Sequence, residues 1–329
     1  MDILDIKNEI EDKYLLQVDK IEKIKNSYKV KTNKGLYGIK VIKYHYPHFY
    51  FIFSAINHLK NRGFKKIPDI IKTKDNLGYI KLGDRYAYLN NWIDSRSCDY
   101  SNLNDLRLAS EALGELHRCS EGFIINNNMR PRIGWFSWID VFKTRCDEII
   151  DFRNRIYQKA YKSEFDEIYL EAIEEELDKG RRAIEELKKN NYIDIMNKEV
   201  MKRGFCHHDY AHHNVLVNDN KVNIIDFDYC ILDTHIHDLA SLIIRSLKDG
   251  KWRKETYEYI LNSYSNTHYL YEEEVKLLKG FIRFPQGFWQ IGLQYYWEQQ
   301  PWGEDFLVNK LNKYLRDRDN RENFLDSLN

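Results

Sequence analysis

With 329 residues, 43% of them hydrophobic, the chain is long enough for one large or two unequal lobes, and Lys+Arg and Asp+Glu both total 51, leaving no net charge to draw it to nucleic acid or an acidic membrane surface. Five prolines, 31% charged residues and no low-complexity tract mark a folded chain rather than a disordered one. The N-terminal stretch MDILDIKNEIEDKY carries acids where an export signal needs basic residues, and apolar windows such as DLASLIIRSL are broken by charge well short of the roughly 20 residues that cross a bilayer, so neither export nor a membrane span is expected.

In chain order, the first pattern is DKIEKIKNSYKVKTNKGLYGIKVIK, Asp19 to Lys43. Its alternating runs Ile21/Ile24, Tyr28/Val30/Thr32 and Tyr37/Ile39/Val41, broken at Asn26-Ser27 and Asn33-Lys34-Gly35, predict three antiparallel strands. Alternation sets Lys40 opposite Ile39 and Val41, so it can face a cleft while they pack on the helix that follows. Pro47 opens that helix, PHFYFIFSAINHLKNRG, which Gly63 ends. GYIKLG and RYAYLNNWI read as two more strands, completing a small lobe over residues 1–93.

From residue 94 to 329 the pattern is mainly helical, with 3.6-residue periodicity at Asn104 to His117, Trp138 to Gln158 and Glu164 to Lys189. The exception runs from Gly204 to Tyr229, where NVLVNDNKVNIIDFD predicts two brief strands joined by an Asn/Asp turn. Five scattered cysteines (Cys98, Cys119, Cys146, Cys206, Cys230) without a CxxC pair suit a reducing compartment and synthesis in cytosol.

FCHHDYAHHN, at 205–214, holds a cysteine and four histidines around Asp209 and ends on Asn214; the following hairpin delivers Asp226 and Asp228 at 224–228. A carboxylate that orients a hydroxyl, followed by Asn and Asp oxygens that hold a hard cation against phosphates, is what phosphoryl transfer needs, and HxDxxxxN joined to IDFD by a strand-turn-strand supplies both. A zinc site through Cys206, His207, His208, His212, His213, His235 and His237 is the alternative. Adjacent loop histidines aim poorly at one ion, and no CxxC or helical HxxxH frames a tetrahedron.

The segment CHHDYAHHNVLVNDNKVNIIDFDYCILDTHIHDLA resembles the catalytic core of the aminoglycoside phosphotransferase and choline kinase superfamily, which has the protein-kinase fold. With NWIDSRSCDY and FPQGFWQIGLQYYWEQQPW, it further resembles the CotS family of bacterial spore coat proteins over nearly the whole chain. The resemblance implies an α+β, bilobal protein-kinase-like fold with a small antiparallel-sheet N-lobe and a larger helical C-lobe. It implies ATP and Mg²⁺ as cofactors, Asp209 as the catalytic carboxylate, and Asn214, Asp226 and, less directly, Asp228 as metal ligands. Lys40 matches the nucleotide lysine, Asn26 and Ser27 lie where a phosphate-covering turn belongs, and His207 and Asp238 match residues that brace the catalytic loop. Deposition in the spore coat beside other coat proteins is the matching expectation for location.

Two departures bear on activity. The turn at Lys25-Asn26-Ser27 has no glycine, and from Lys23 through Pro68 there is no Asp or Glu against eleven Lys or Arg, so the helix after Lys40 offers it no carboxylate. The sequence therefore permits both an active phosphotransferase and a kinase-fold coat protein with a structural or assembly role. Seven residues separate Cys230 from Asp238, too few for a peptide-binding activation segment, so a small hydroxyl-bearing acceptor is expected. The acidic helix DEIYLEAIEEELD reads as a solvated face and the aromatic tail as core, and neither is assigned to acceptor binding.

Overall fold

A computed structural model describes residues 2–24 and 27–328 of the protein. By its own contacts the chain divides into two compact units, Met1–Ile133 with Arg203–Leu232, and Gly134–Lys202 with Asp233–Asn329.

The first unit opens with α1 (Ile3–Tyr14), an amphipathic helix that buries Ile6, Ile10 and Tyr14, one residue per turn. Three antiparallel strands follow: β1 (Val18–Ile24), β2 (Ser27–Thr32) and β3 (Gly35–Ile42). The β2-β3 turn ends on Gly35 at φ +131°, a conformation L side chains rarely adopt. Next come α2 (Tyr46–Asn61), with Pro in its first turn, then β4 (Ile70–Ile71), β5 (Ile80–Leu82) and β6 (Arg85–Asn91). The strands form a six-stranded sheet in the order β1-β2-β3-β6-β4, with β5 also paired to β6.

Ile39 and Val41, expected against the helix that follows them, pack instead on α1, in one cluster with Ile6, Ile10, Val30, Ile80 and Leu89. The reason is the second helix: α1 shows only a thin apolar stripe among charges, so the sequence left one visible helix for a sheet that has two. The opposite face carries Lys40 and its register partner Tyr88, and there Phe49 of α2 stacks on Tyr86 with ring centroids 5.0 Å apart.

A second, three-stranded sheet joins β7 (Arg96–Ser97), β8 (Val215–Asn218) and β9 (Lys221–Ile224). Between β7 and β8 in sequence lies α3 (Leu103–Ser120), whose N-cap Asn102 accepts from the amides of Asn104 and Asp105. Asp105, buried at the start of α3, takes Arg96 in a two-pronged pair at 2.5 and 2.9 Å and the Asp99 amide at 2.9 Å, fixing β7 to the helix.

The second unit is helical among its described residues: α4 (Trp138–Gln158), α5 (Glu164–Lys189), α6 (Tyr192–Lys202), α7 (Ile236–Leu247), α8 (Lys254–Ser265), α9 (Glu272–Arg283), α10 (Gln286–Gly292) and α11 (Glu304–Ser327). The aromatic tail is core here. Phe288 stacks on Tyr169 at 4.0 Å and Tyr296, in a π-helical turn at Leu293–Trp297, stacks on Phe152 at 5.4 Å. On α5 most acids are exposed, as a solvated face requires, but Asp166 and Glu176 are fully buried and paired with Lys159 and Lys179. No described helix is long and apolar enough to cross a membrane. All five cysteines are buried, and burial pushes the Cys98 thiol up to about 12 and Cys146 to about 11.

Candidate nucleotide site

Lys40 stands in the middle of β3, in register with Ser27 on β2 and Tyr88 on β6, and is 6% exposed. Its ammonium donates to Asp226 Oδ1 at 2.8 Å and lies 3.1 Å from Asp228 Oδ2. The two carboxylates reach one ammonium because the chain leaves β9 by a sharp turn. Asp226 adopts φ +67°, unusual for a residue with a side chain, and a single 3-10 turn, Phe227–Tyr229, follows it. Phe227, 1% exposed, anchors that turn against the His207 ring at 4.7 Å, and His207 Nε2 lies 2.9 Å from the Ile225 carbonyl. His207 therefore braces the strand end.

The loop before β8 is held as tightly. Asn214, 3% exposed, donates its side-chain amide to the Asp209 carbonyl at 2.9 Å and to Asp209 Oδ2 at 3.1 Å, fixing the carboxylate's direction. The Ile225 amide donates to the Asn214 carbonyl at 3.0 Å, which ties this loop to the turn carrying Asp226. The Tyr210 hydroxyl donates to the Ala109 carbonyl at 2.8 Å, anchoring the loop on α3.

The charges here are uneven. Burial alone would lower the Lys40 pKa, but Asp228 and Asp226 outweigh it and hold the ammonium above its ordinary value. Burial works against ionised Asp226 too, yet Lys40 wins and keeps that carboxyl low. Asp228 goes the other way: burial, with Asp226 beside it, pushes it up to about 7 despite Lys40. One ammonium thus faces two carboxyls, and Asp228 Oδ1 is buried with no hydrogen-bond partner. Carboxylate and amide oxygens in a place short of positive charge fit a hard divalent cation such as Mg²⁺ better than a soft metal.

Of the other predicted residues, Ser27 opens β2 directly across from Lys40, while Asn26 lies outside the described residues. Asp238 is fully buried in the first turn of α7, in the second unit. Among the residues of the zinc alternative, His212 and His213 are exposed, and His235 and His237 belong to the second unit. His235 sits there between Glu199 of α6, 2.9 Å from Nδ1, and Glu274 of α9, 3.5 Å from Nε2, and Lys202 neutralises the same two acids at 2.6 and 3.3 Å.

Two features of the first unit were not read from the sequence. One is the source of the carboxylates on Lys40: with no acid on α2, they come from the strand end, 186 residues away for Asp226. The pairing of acids either side of Phe227 was the available signal. The other is Arg132, whose guanidinium donates to the Tyr44 hydroxyl at 2.7 Å and lies over the rings of Tyr44 and Tyr229, at 5.0 and 5.5 Å.

The architecture defines a class. An aminoglycoside phosphotransferase from Alicyclobacillus acidocaldarius superposes with a TM-score of 0.85 at 20% identity, covering 96% of this chain and 93% of its own. Spectinomycin phosphotransferase, solved with ADP and spectinomycin, gives 0.66 at 15% identity over 99% and 98%. The fold is α+β and of the bilobal protein-kinase-like type. Spore coat protein S of Bacillus subtilis (strain 168) is 22% identical over 306 residues, 92% of this chain and 86% of that protein. The chain belongs to the family described as "Spore coat putative kinase YutH", whose profile matches residues 7–328, in keeping with the CotS resemblance.

Proposed function

We propose that this spore coat family member is a Mg·ATP-dependent phosphotransferase acting on a small hydroxyl-bearing molecule. One observation carries the reading: Lys40, Asp226 and Asp228 meet at one point, and the loop holding Asp209 and Asn214 is hydrogen-bonded to the same turn. Lys40 neutralises phosphate oxygens, with Ser27 directly across from it on β2. Asp226, Asn214 and the free oxygen of Asp228 would hold Mg²⁺, which when bound supplies charge neutralisation on the phosphates. Asp209, its direction set by Asn214, takes the proton of the acceptor hydroxyl as that oxygen bonds to the γ-phosphorus and the bond to the β,γ-bridging oxygen breaks, releasing ADP.

Calorimetry of Mg·ATP binding tests this. The unaltered protein is expected to bind, and Asp226→Ala and Lys40→Ala to weaken binding at least roughly tenfold, the size of a lost charge-assisted contact. Asp209→Ala should keep nucleotide affinity while slowing transfer or hydrolysis by about 10²–10⁴-fold. No metal-dependent binding by the unaltered protein would end the enzymatic reading. A second reading, a kinase-fold coat protein without turnover, is favoured by the acid-free α2 and by the lack of glycine in the sequence Lys25-Asn26-Ser27. Both readings place synthesis in the cytosol and the finished protein in the spore coat beside other coat proteins, and its absence from purified spores would refute that location.

A further inference from the structure

The geometry points to Asp228 as the residue that orients Lys40 for the nucleotide, taking the part that an acid on the following helix would otherwise play; this rests on the nucleotide reading above. Three observations lead there. α2 covers the Lys40 face of the sheet through Phe49, yet from Tyr46 to Asn61 it has no acid, so nothing on that helix can pair with the ammonium. Lys40 nevertheless has two partners, and they differ in availability: the Asp226 side chain is 30% exposed, that of Asp228 only 16%. Asp226 is also the more obvious ligand for a cation, being next to the strand end and tied through Ile225 to Asn214. Each acid meets Lys40 through one oxygen, Asp226 through Oδ1 and Asp228 through Oδ2; a cation arriving from solvent reaches the more exposed Asp226 first, while Asp228 keeps Oδ2 on the ammonium, with its buried Oδ1 left for the ion or its water.

Asp228 is thus a positioning residue that acts through Lys40. The 3-10 turn makes this possible, since it swings Asp228 back beside Asp226 with buried Phe227 as the pivot. A site built this way has its orienting acid and its metal acid on one rigid turn, independent of any movement of α2.

The test is a double-mutant cycle on ATP affinity, measured by calorimetry in EDTA and again with Mg²⁺, using Lys40→Met, Asp228→Asn and the two combined. Removing the charge of Asp228 by itself favours a polyanion, so the quantity read is the factor by which Lys40 improves binding, with and without Asp228→Asn. That factor is expected to fall roughly tenfold or more when Asp228 is neutralised, under both conditions, and to recover in part with Asp228→Glu, as loss and rescue of a charge-assisted pair require. An unchanged factor overturns the inference, as does a loss confined to Mg²⁺, which would make Asp228 a metal ligand only. Asp228→Glu also guards against a misfolded Asp228→Asn, because the same factor measured in a folded variant must change if the pair matters. Failure of the unaltered protein to bind ATP removes the nucleotide reading and this inference together, whereas normal binding with an unchanged factor removes this inference alone.

Discussion

Asn214 shows how one buried amide can set the direction of a neighbouring acid: it spends both amide hydrogens on Asp209. Asn214→Ala should therefore cost about 1–3 kcal/mol in urea unfolding, since it removes two hydrogen bonds from a buried position. The His235 cluster makes a pH prediction. Facing its ring are Glu199 and Lys202 from α6, Glu274 from α9, Tyr264 on α8 and the His268 ring at 4.8 Å. Burial acts to lower the imidazole, but Glu199 and Glu274 prevail and raise it from 6.5 to about 9. A raised pKa means the stabilisation is complete below the unfolded value and is lost as pH rises through about 9; at about 1.4 kcal/mol per pKa unit it is on the order of 3 kcal/mol. Glu199 and Glu274 are held low, so their share is lost in acid instead. Stability should fall between about pH 6.5 and 9, and His235→Gln should flatten that limb in melting curves. Spacing made Asp209, Asn214 and Asp226 legible in the sequence, because their relation is local; the partners of Lys40 were hidden because they lie far along the chain.

At the scale of elements, α4 and α5 have the bounds their periodicity predicts, and β1 to β3 fall where the alternating runs lie. Strong patterns read well because burial of one face repeats with the period of the backbone. α1 did not, since among its twelve residues only Ile6, Ile10 and Tyr14 are buried. That thin face is nevertheless what closes the sheet. Ile10→Ala, at a fully buried position, is expected to cost about 2–5 kcal/mol in chemical denaturation and to loosen β1 and β5 in hydrogen exchange. A loss below about 1 kcal/mol would show that α1 is not part of the sheet's core. β4 and β7, of two residues each, were equally out of reach, because pairing and not local pattern defines them.

For the whole molecule, the kinase-like fold was legible from two short motifs and the order of strands and helices, while the division into two units was not, because residues 203–232 rejoin the first unit after a long helical excursion. This division has a measurable result if the nucleotide reading holds. Mg·ATP should slow hydrogen exchange in β3, in residues 205–214 and around Asp226, and leave α8 and α11 at their original rates; equal slowing throughout would contradict a site seated in the first unit. The five thiols have their own consequence. Since each is buried, with the Cys98 and Cys146 thiols pushed far above neutrality, the native chain offers no sulfur for exchange with neighbours. Any covalent sulfur tether to an adjoining molecule would first require the fold to open, so the pace of alkylation by a small reagent doubles as a clock for that opening.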